Sequence, residues 1–284
     1  MHVARMVLGG IVIFSLAALA QEPTPPKFDV ASVKQHAPGD ARRIFPQFAP
    51  GGRFVAIAPV PVVISFAYGL PINPSERLKG LPDWTRSREA IYDIQATGVL
   101  PVSLPAKDRS ERMKSMVRAL LADRFKLQLH HEMKEMSVYA LVVDKGGLKL
   151  EKADIQEENC PDLIVRDSGT SNVSCHSFLG GRGRGLRARA VNMPDLATAM
   201  ESWTDRPLVD KTGINGLYRI ETTPWISMQA GPTPPNDTKA EDGSNVSDLP
   251  TIFTVFKRMG LRMESQKSMV DVVVIDHIER PDEN

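Results

Sequence analysis

Two adjacent histidines and a glutamate, His130-His131-Glu132, are the first residues whose types suggest chemistry, because imidazole and carboxylate groups bind metal ions. On a strand, successive side chains point to opposite faces, so His130 and Glu132 share one face while His131 points away. The His-Glu-x-x-His spacing of zinc peptidases is missing. This pattern favours solvated side chains at the end of a hairpin, and it predicts neither a metal ligand nor a cofactor.

A second candidate is the run Asp167-Ser168-Gly169-Thr170, which resembles the catalytic loop of aspartic proteases. That chemistry requires two carboxylates that share one proton. Residues 209–213 carry a lysine directly after their aspartate, so they do not provide a second copy of the Asp-Ser-Gly-Thr motif. A homodimer could supply the second aspartate, but Arg166 interrupts the apolar lead-in of the motif. A turn is the favoured interpretation, and no catalytic residue is predicted.

Residues 180–185, together with Arg187 and Arg189, form a glycine- and arginine-rich run that could hold a phosphate or another polyanion. The run lacks the strand–loop–helix context and the Lys-Ser/Thr pair of a phosphate loop. A flexible basic surface loop is the favoured interpretation, so binding residues stay unknown. The Gly-x-Ser-x-Gly elbow of serine hydrolases does not occur in the chain.

The N-terminus predicts export. Residues 1–20 combine a basic start with a short apolar run and small residues at its end, which is the pattern of a secretory signal peptide. The apolar run is shorter than the roughly 20 residues that a spanning helix needs. We therefore expect no stable membrane span after cleavage, and a bacterial periplasmic or extracellular location.

Cys160 and Cys175 are the only cysteines of the chain. In an oxidising compartment the simplest prediction is one disulfide that closes a loop. Two free thiols are the alternative. A zinc site with the adjacent His176 is a weak possibility, because a structural zinc ion needs four ligands.

Composition sets broad limits on the fold and the partners. The chain has 284 residues, 42% of them hydrophobic, which is enough for one large or two small cores. Its formal net charge is +1, so no global field attracts nucleic acid. The methionine and tryptophan side chains are expected to pack in the cores and at the ends of the sheets.

Hydrophobic periodicity predicts an α+β fold. The chain divides into an extended segment with one strand at 21–52, a first unit at 53–150, a disulfide-closed insertion at 151–185 and a second unit at 186–284 with a mobile loop at 227–248. In the first unit, residues 61–68 are predicted as a short helix and the alternating residues 91–97 as a strand. A helix at 110–124 then precedes two short strands joined as a hairpin by residues 130–137. In the second, Asn215-Gly216 is a strong hairpin signal between two strands, and a helix is followed by strands at 261–264 and 270–278.

The two units have the same predicted order, strand-helix-strand-strand-helix-strand-strand. A Tyr-x-Ile-x-x-Thr match precedes the second helix in each, at Tyr92 and at Tyr218. We therefore expect two pseudo-repeated units with largely antiparallel sheets and helices on one face. The sequence leaves open whether they form one continuous sheet or two.

Several stretches resemble one family when taken together, namely FDVASVK, LLADRFKLQLHHE with VYALVV, LVDKTGINGLY and VVVIDHIERPDEN. They are similar to a large uncharacterised family of secreted proteins of acidobacteria and other soil bacteria. The members share a domain of unknown function that is sometimes fused to membrane metallopeptidases of the antibiotic-sensor type. The resemblance implies export and supplies no catalytic residue. The helix–strand–strand rhythm is also similar to the protein-binding N-terminal modules of secretins and TonB-dependent receptors.

These observations favour a non-enzymatic binding or interaction module of the cell envelope, which would bind a protein or peptide by strand addition at an open sheet edge. An envelope hydrolase acting on peptides or glycans is one alternative. A sensory ectodomain that partners a membrane peptidase is the other.

Overall fold

The computed structural model describes residues 25–49, 51–72, 76–87, 89–100, 104, 106–160, 175–181, 183–228, 243, 245 and 248–281. The predicted signal peptide at 1–20 and the run 167–170 lie outside these residues. So does most of the predicted loop at 227–248.

The first half of the described chain forms a four-stranded antiparallel sheet in the order β1-β5-β3-β2. Its strands are β1 (Val30–Gln35), β2 (Ile44–Ala49), β3 (Arg53–Pro59) and β5 (Ile91–Thr97). Helices α1 (Val60–Ala67) and α2 (Ala106–Arg124) pack against this sheet and build the first core around Phe54 and Ile94. Helix α2 begins at Ala106, four residues before the predicted start at Ser110. Asp108, in the first turn, favours this earlier start through its interaction with the helix dipole.

The second half contains a three-stranded antiparallel sheet in the order β10-β8-β7. Its strands are β7 (Leu179–Gly181), β8 (Gly185–Val191) and β10 (Tyr218–Glu221). Helices α3 (Met193–Glu201) and α4 (Ile252–Arg258) supply the apolar side chains of the second core. Asn192 and Asp195 form a capping box, in which each side chain accepts a hydrogen bond from the other residue's backbone N–H, and this fixes the start of α3.

A third sheet, in the order β4-β11-β6-β9, joins the two halves. Strands β6 (Gln128–Val143) and β11 (Leu261–His277) pair antiparallel along nearly their whole length, and we call this pair the ribbon. Strand β4 (Leu78–Lys79) adds in parallel to β11 at one end, and β9 (Leu208–Asp210) adds in parallel to β6 at the other. The β4 end of the ribbon belongs to the first core and the β9 end to the second.

The hairpin predicted within 125–142 is wrong, and so is the division of 261–278 into two strands, because each pair of short strands is one long strand. Residues 130–137, predicted to turn, pair instead with residues 267–274 of β11. The run HHEMKEMS contains no glycine, proline or asparagine, the residues that tight turns favour. Its polarity reflects the exposure of nearly all its residues rather than a chain reversal.

The hairpin predicted at Asn215-Gly216 is also wrong. Gly216 has a positive φ of 96°, but Asn215 does not, so only one of the two residues adopts the conformation that a two-residue Asn-Gly hairpin turn requires. The flanking strands, however, pair with different partners: β9 joins β6 and β10 joins β8. Local chemistry thus placed a bend at Gly216, but long-range pairing decided which strands meet.

The ribbon is curved. The carbonyl oxygen of Arg77 accepts a hydrogen bond from the N–H of Val273 (2.7 Å), and its guanidinium donates to the carbonyl of Leu208 (3.3 Å). Leu208 pairs with Tyr139, whereas Val273 pairs with His131, eight residues earlier on β6. In a straight strand these positions lie about 27 Å apart. Arg77 can reach Val273 with its backbone and Leu208 with its side chain only if the ribbon bends.

The side chains at odd-numbered positions of β6 and β11 lie on one side of the ribbon, which we call the outer face. Both cores pack on this face, through Val273 and Ile275 at one end and Tyr139 and Leu141 at the other. Four residues of the opposite face are buried although they belong to neither core, and this burial indicates that they lie inside the bend. They are Val138, Ala140, Val270 and Val272.

The architecture is therefore mixed α+β with mainly antiparallel sheets, as predicted, but the described strands form three sheets rather than one or two. The element order β3-α1-β4-β5-α2-β6 is followed later by β8-α3-β9-β10-α4-β11. Strand β6, the last of the first series, pairs with β9, the short third element of the second series. Strand β11, the last of the second series, pairs with β4, the short third element of the first series. A duplication and the predicted domain boundaries stay predictions.

Candidate functional site

The ribbon is exposed in its middle, between the two cores. We call residues 131–137 of β6 and 265–271 of β11 the central section. All seven of these β6 residues are exposed or half-buried, and on β11 only Val270 is buried. A two-stranded ribbon without a covering layer is marginally stable by itself, so the cores at its ends hold the central section in place.

Both edges of the central section are open within the described part of the chain. Tyr139 donates its N–H outward to Pro207 and Val273 donates outward to Arg77, so odd-numbered residues point their backbone groups away from the ribbon. The register has no irregularity between these positions. The outward N–H and C=O groups of the odd residues at 131–137 and 265–271 accordingly have no backbone partner among the described residues.

The outer face of the central section carries two methionines between two charged pairs. His131 Nδ1 lies 3.0 Å from the Asp271 carboxylate, and Lys267 Nζ lies 3.2 Å from Glu135 Oε1. Met133 and Met269, between these pairs, are 59% and 53% exposed. The expectation that the methionines pack in the cores is wrong at these two positions, because the ribbon holds them between the cores rather than inside either.

Aromatic side chains and arginines lie at both ends of this face. At one end Arg118 lies over the ring of Tyr68, 5.5 Å from its centroid, and Tyr68 approaches the ring of His131. Burial raises the pKa of Tyr68 above its ordinary value. The cation–π contact fixes the Tyr68 ring as one boundary of the exposed surface.

At the other end Arg206 lies over the ring of Tyr139, 4.7 Å from its centroid, and donates to the hydroxyl of Ser265 at 3.3 Å. The exposed ring of Phe253 meets Tyr139 edge to face at 5.8 Å. Burial, and then the nearby charge of Asp205, raise the pKa of the Tyr139 hydroxyl. This end therefore combines an apolar ring with a guanidinium.

A cleft of about 470 Å³ lies on the outer side of the three-stranded sheet. Its basic residues are Arg187, Arg189, Arg219 and Lys152, and its acidic ones are Glu151, Asp154 and Glu221. Arg189 donates to Asp154 at 3.1 Å, and this hydrogen bond lowers the pKa of Asp154. Because acidic groups accompany the arginines, the cleft is close to neutral, and it gives the polyanion hypothesis no support.

His176 connects the disulfide region to α3. Its Nδ1 lies 2.6 Å from Asp195 Oδ2, and its Nε2 lies 2.9 Å from Glu157 Oε1. The hydrogen bond to Asp195 raises the pKa of His176, against the opposing effect of burial. The neighbouring Cys160 sulfur lies 2.10 Å from that of Cys175, which fits the predicted disulfide. Glu157, Cys160 and His176 are close enough for a metal ion, but a disulfide sulfur is not a thiolate ligand.

Sequence reasoning missed a buried histidine near the N-terminus. His36 Nδ1 lies 2.6 Å from Asp93 Oδ1, and its Nε2 lies 3.1 Å from the carbonyl oxygen of Asp40. The Arg42 guanidinium, which donates to the Asp40 carboxylate, lowers the pKa of Asp40 to about 2. This cluster ties β1 to β5 through the loop that follows β1, and His36 is 6% exposed. The only sequence signal was an isolated histidine at the end of a strand.

The other residues that the sequence singled out contribute to strand pairing, turns or packing. His130 and His131 are exposed on opposite faces of β6, as the strand periodicity predicts, and each meets an aspartate of β11. Asp210 accepts hydrogen bonds from Thr212 and so stabilises a turn. Trp203 and Trp225 meet edge to face at 5.3 Å, and Trp225 is buried. The run 167–170 lies outside the described residues.

Within the described ranges, no helix has both the length and the apolar character that crossing a membrane requires. The fold and the exposed ribbon define an α+β protein whose candidate binding surface is a curved, open-edged strand pair between two cores. The chain belongs to the family described as "Protein of unknown function (DUF3738)", whose sequence profile matches residues 62–278. No curated protein and no solved structure matches the chain.

Proposed function

We propose that this protein is an exported, non-enzymatic binding module that accepts an extended segment of a partner protein or peptide as an added strand. The observation that supports this most directly is the central section, where both ribbon edges present outward backbone groups without a backbone partner among the described residues. Open strand edges pair readily with extended chains, and backbone hydrogen bonds then supply much of the affinity.

Export is supported by two observations. Residues 1–20 have the pattern of a signal peptide, and the two cysteines lie at disulfide distance. The partner would accordingly be a protein or peptide of the bacterial envelope or its surroundings.

The side chains at the edges provide selectivity. Polar side chains flank each methionine, namely His131 and Glu135 on β6 and Lys267 and Asp271 on β11, and the three residues other than histidine have acidic or basic side chains. Charges on an edge strand discourage indiscriminate pairing. A partner strand would therefore place an apolar side chain beside a methionine and complementary charges on either side of it.

Amide hydrogen exchange tests the open edges directly. In the isolated protein, the outward amides of Met133, Glu135, Lys267 and Met269 should exchange faster than the inward amides of Lys134 and Ser268, because only the latter are in the ribbon ladder. Equal protection of the two sets would show that the edges are covered and would overturn the proposal.

Partner binding is tested by capture from envelope extract with matched variants. Lys267→Pro removes an outward N–H and should leave the ladder with β6 intact, whereas Lys267→Thr removes the same charge and keeps the N–H. We expect the wild-type protein and the threonine variant to enrich the same partner and the proline variant to lose it. Far-UV circular dichroism must show that both variants are folded. Equal capture by folded Lys267→Pro, and by Glu135→Pro at the other edge, would refute strand addition.

A further inference from the structure

The two exposed methionines of the central section are diagonal neighbours across the ribbon. Met133 pairs with Asp271, and Met269 pairs with Glu135. All four side chains lie on the outer face, because side-chain direction alternates along a strand and no bulge interrupts the register here. Diagonal positions on one face of an antiparallel pair are within reach of long side chains.

The same diagonal already brings two other pairs of side chains into contact. His131 pairs with Val273 yet meets Asp271 at 3.0 Å, and Lys267 pairs with Ser137 yet meets Glu135 at 3.2 Å. Met133 and Met269 stand in the same diagonal relation, between these two contacts. Since methionine is long and flexible, the two thioether sulfurs can converge on one point.

A nitrogen ligand lies beside them. His131 is two residues before Met133 on the same face, and its Nδ1 faces the Asp271 carboxylate. A carboxylate at one ring nitrogen orients a histidine to coordinate a metal through the other, which here is Nε2. The ring of Tyr68, whose centroid lies 6.3 Å from that of His131, restricts the orientation of the histidine ring.

We propose that Met133, Met269 and His131 form a binding site for a soft monovalent metal ion, Cu(I), with Ag(I) as its redox-inert substitute. Two thioether sulfurs and one imidazole nitrogen favour Cu(I) over hard divalent ions, because thioethers are soft ligands and bind magnesium and calcium poorly. Asp271 acts as a positioning residue through His131. The site is formed by side chains of the outer face, so metal binding does not require a strand added at the backbone edges.

The direct test is a competition titration of the full chain with Cu(I) against a chromogenic Cu(I) chelator, under anaerobic conditions with ascorbate. We expect one Cu(I) per chain. Met133→Leu, Met269→Leu and His131→Gln should each weaken binding by about tenfold or more, since each removes a ligand. Met136→Leu is the matched control, because Met136 is on the same strand but points to the opposite face, and it should bind as the wild type does.

Carbon-13 spectra of the methionine ε-methyl groups supply a second readout that also reports folding. Addition of Ag(I) should shift the Met133 and Met269 signals and leave those of the buried methionines, such as Met116 and Met200, in place. The variants should show the same unshifted core signals. Absence of binding, equal affinity of the ligand variants and the wild type, or a loss of affinity in Met136→Leu would each overturn the site.

Discussion

The guanidinium of Arg77 lies 2.8 Å from the carboxylate of Glu201, and this ion pair connects the two ends of the curved ribbon. Arg77 precedes β4 and accepts a hydrogen bond from β11, while Glu201 ends α3 and accepts the N–H of Leu208 at the start of β9. The side chain of Glu201 is 2% exposed and that of Arg77 is 20% exposed. The pair therefore holds β4 and β9, which lie at opposite edges of the ribbon sheet, close to each other.

Replacing one partner of this pair should destabilise the protein strongly. Arg77→Met leaves the Glu201 carboxylate buried beside an apolar chain, and loss of one member of a buried ion pair costs about 3–5 kcal/mol. Urea unfolding measures the change. Lys267→Met, which breaks the exposed pair with Glu135, is the control and should cost less than about 1 kcal/mol. Equal losses in the two variants would show that the Arg77–Glu201 pair contributes no more to stability than an exposed pair does.

The His176 cluster predicts a pH-dependent contribution to stability. Because the folded pKa of His176 is raised above 6.5, chiefly by Asp195, protonated His176 stabilises the folded state. This contribution is fully present below the unfolded pKa and is lost as the pH rises through the folded pKa. His176→Asn is the suitable variant, since His176 has a φ of +56°, which asparagine tolerates.

The His176→Asn variant should accordingly lose more free energy of unfolding at about pH 5.5 than at about pH 9. Denaturant unfolding of both proteins at the two pH values measures the difference. An equal loss at both values, or a greater one at high pH, would contradict the assigned direction of the pKa shift.

The disulfide should stabilise the protein measurably. Cys160 and Cys175 are 15 positions apart, and closing a loop of this length is worth about 3 kcal/mol in the chain-entropy model. The double variant Cys160→Ser/Cys175→Ser should lose an amount of this order in thermal or urea unfolding. A reducing agent should lower the stability of the wild type and leave the double variant unchanged. A wild type that is insensitive to reduction would contradict this contribution.

Gly260 should be intolerant of any side chain. It has a φ of +74° between α4 and β11, and a Cβ there would collide with the backbone carbonyl of Gly147. Gly260→Ala should cost about 1–3 kcal/mol from backbone strain, with more from the collision. Gly146→Ala is the control, because a Cβ there meets open space and φ is not in the left-handed region. The control should stay within about 1 kcal/mol of the wild type in urea unfolding, and a similar loss in both variants would contradict the argument.

Most of the helices and strands could be predicted from the amino-acid sequence. The alternation in residues 91–97 gave β5 with its predicted bounds, and the apolar run after Pro61 gave α1 within a residue at each end. The shift from helical periodicity to alternation after Arg124 marked the end of α2. These predictions succeed because side-chain periodicity of one element depends only on which of its faces is buried.

Which strands pair, and why the middle of the ribbon is polar, depends on long-range contacts that a local pattern does not contain. Residues 130–137 are polar because they lie between two cores, and a local pattern cannot distinguish this from the end of a hairpin. The Met133–Met269 and Arg77–Glu201 neighbours each join distant parts of the chain. The proximity of these residues depends on the register and the bend of the ribbon, which long-range hydrogen bonding and burial in the two cores set together.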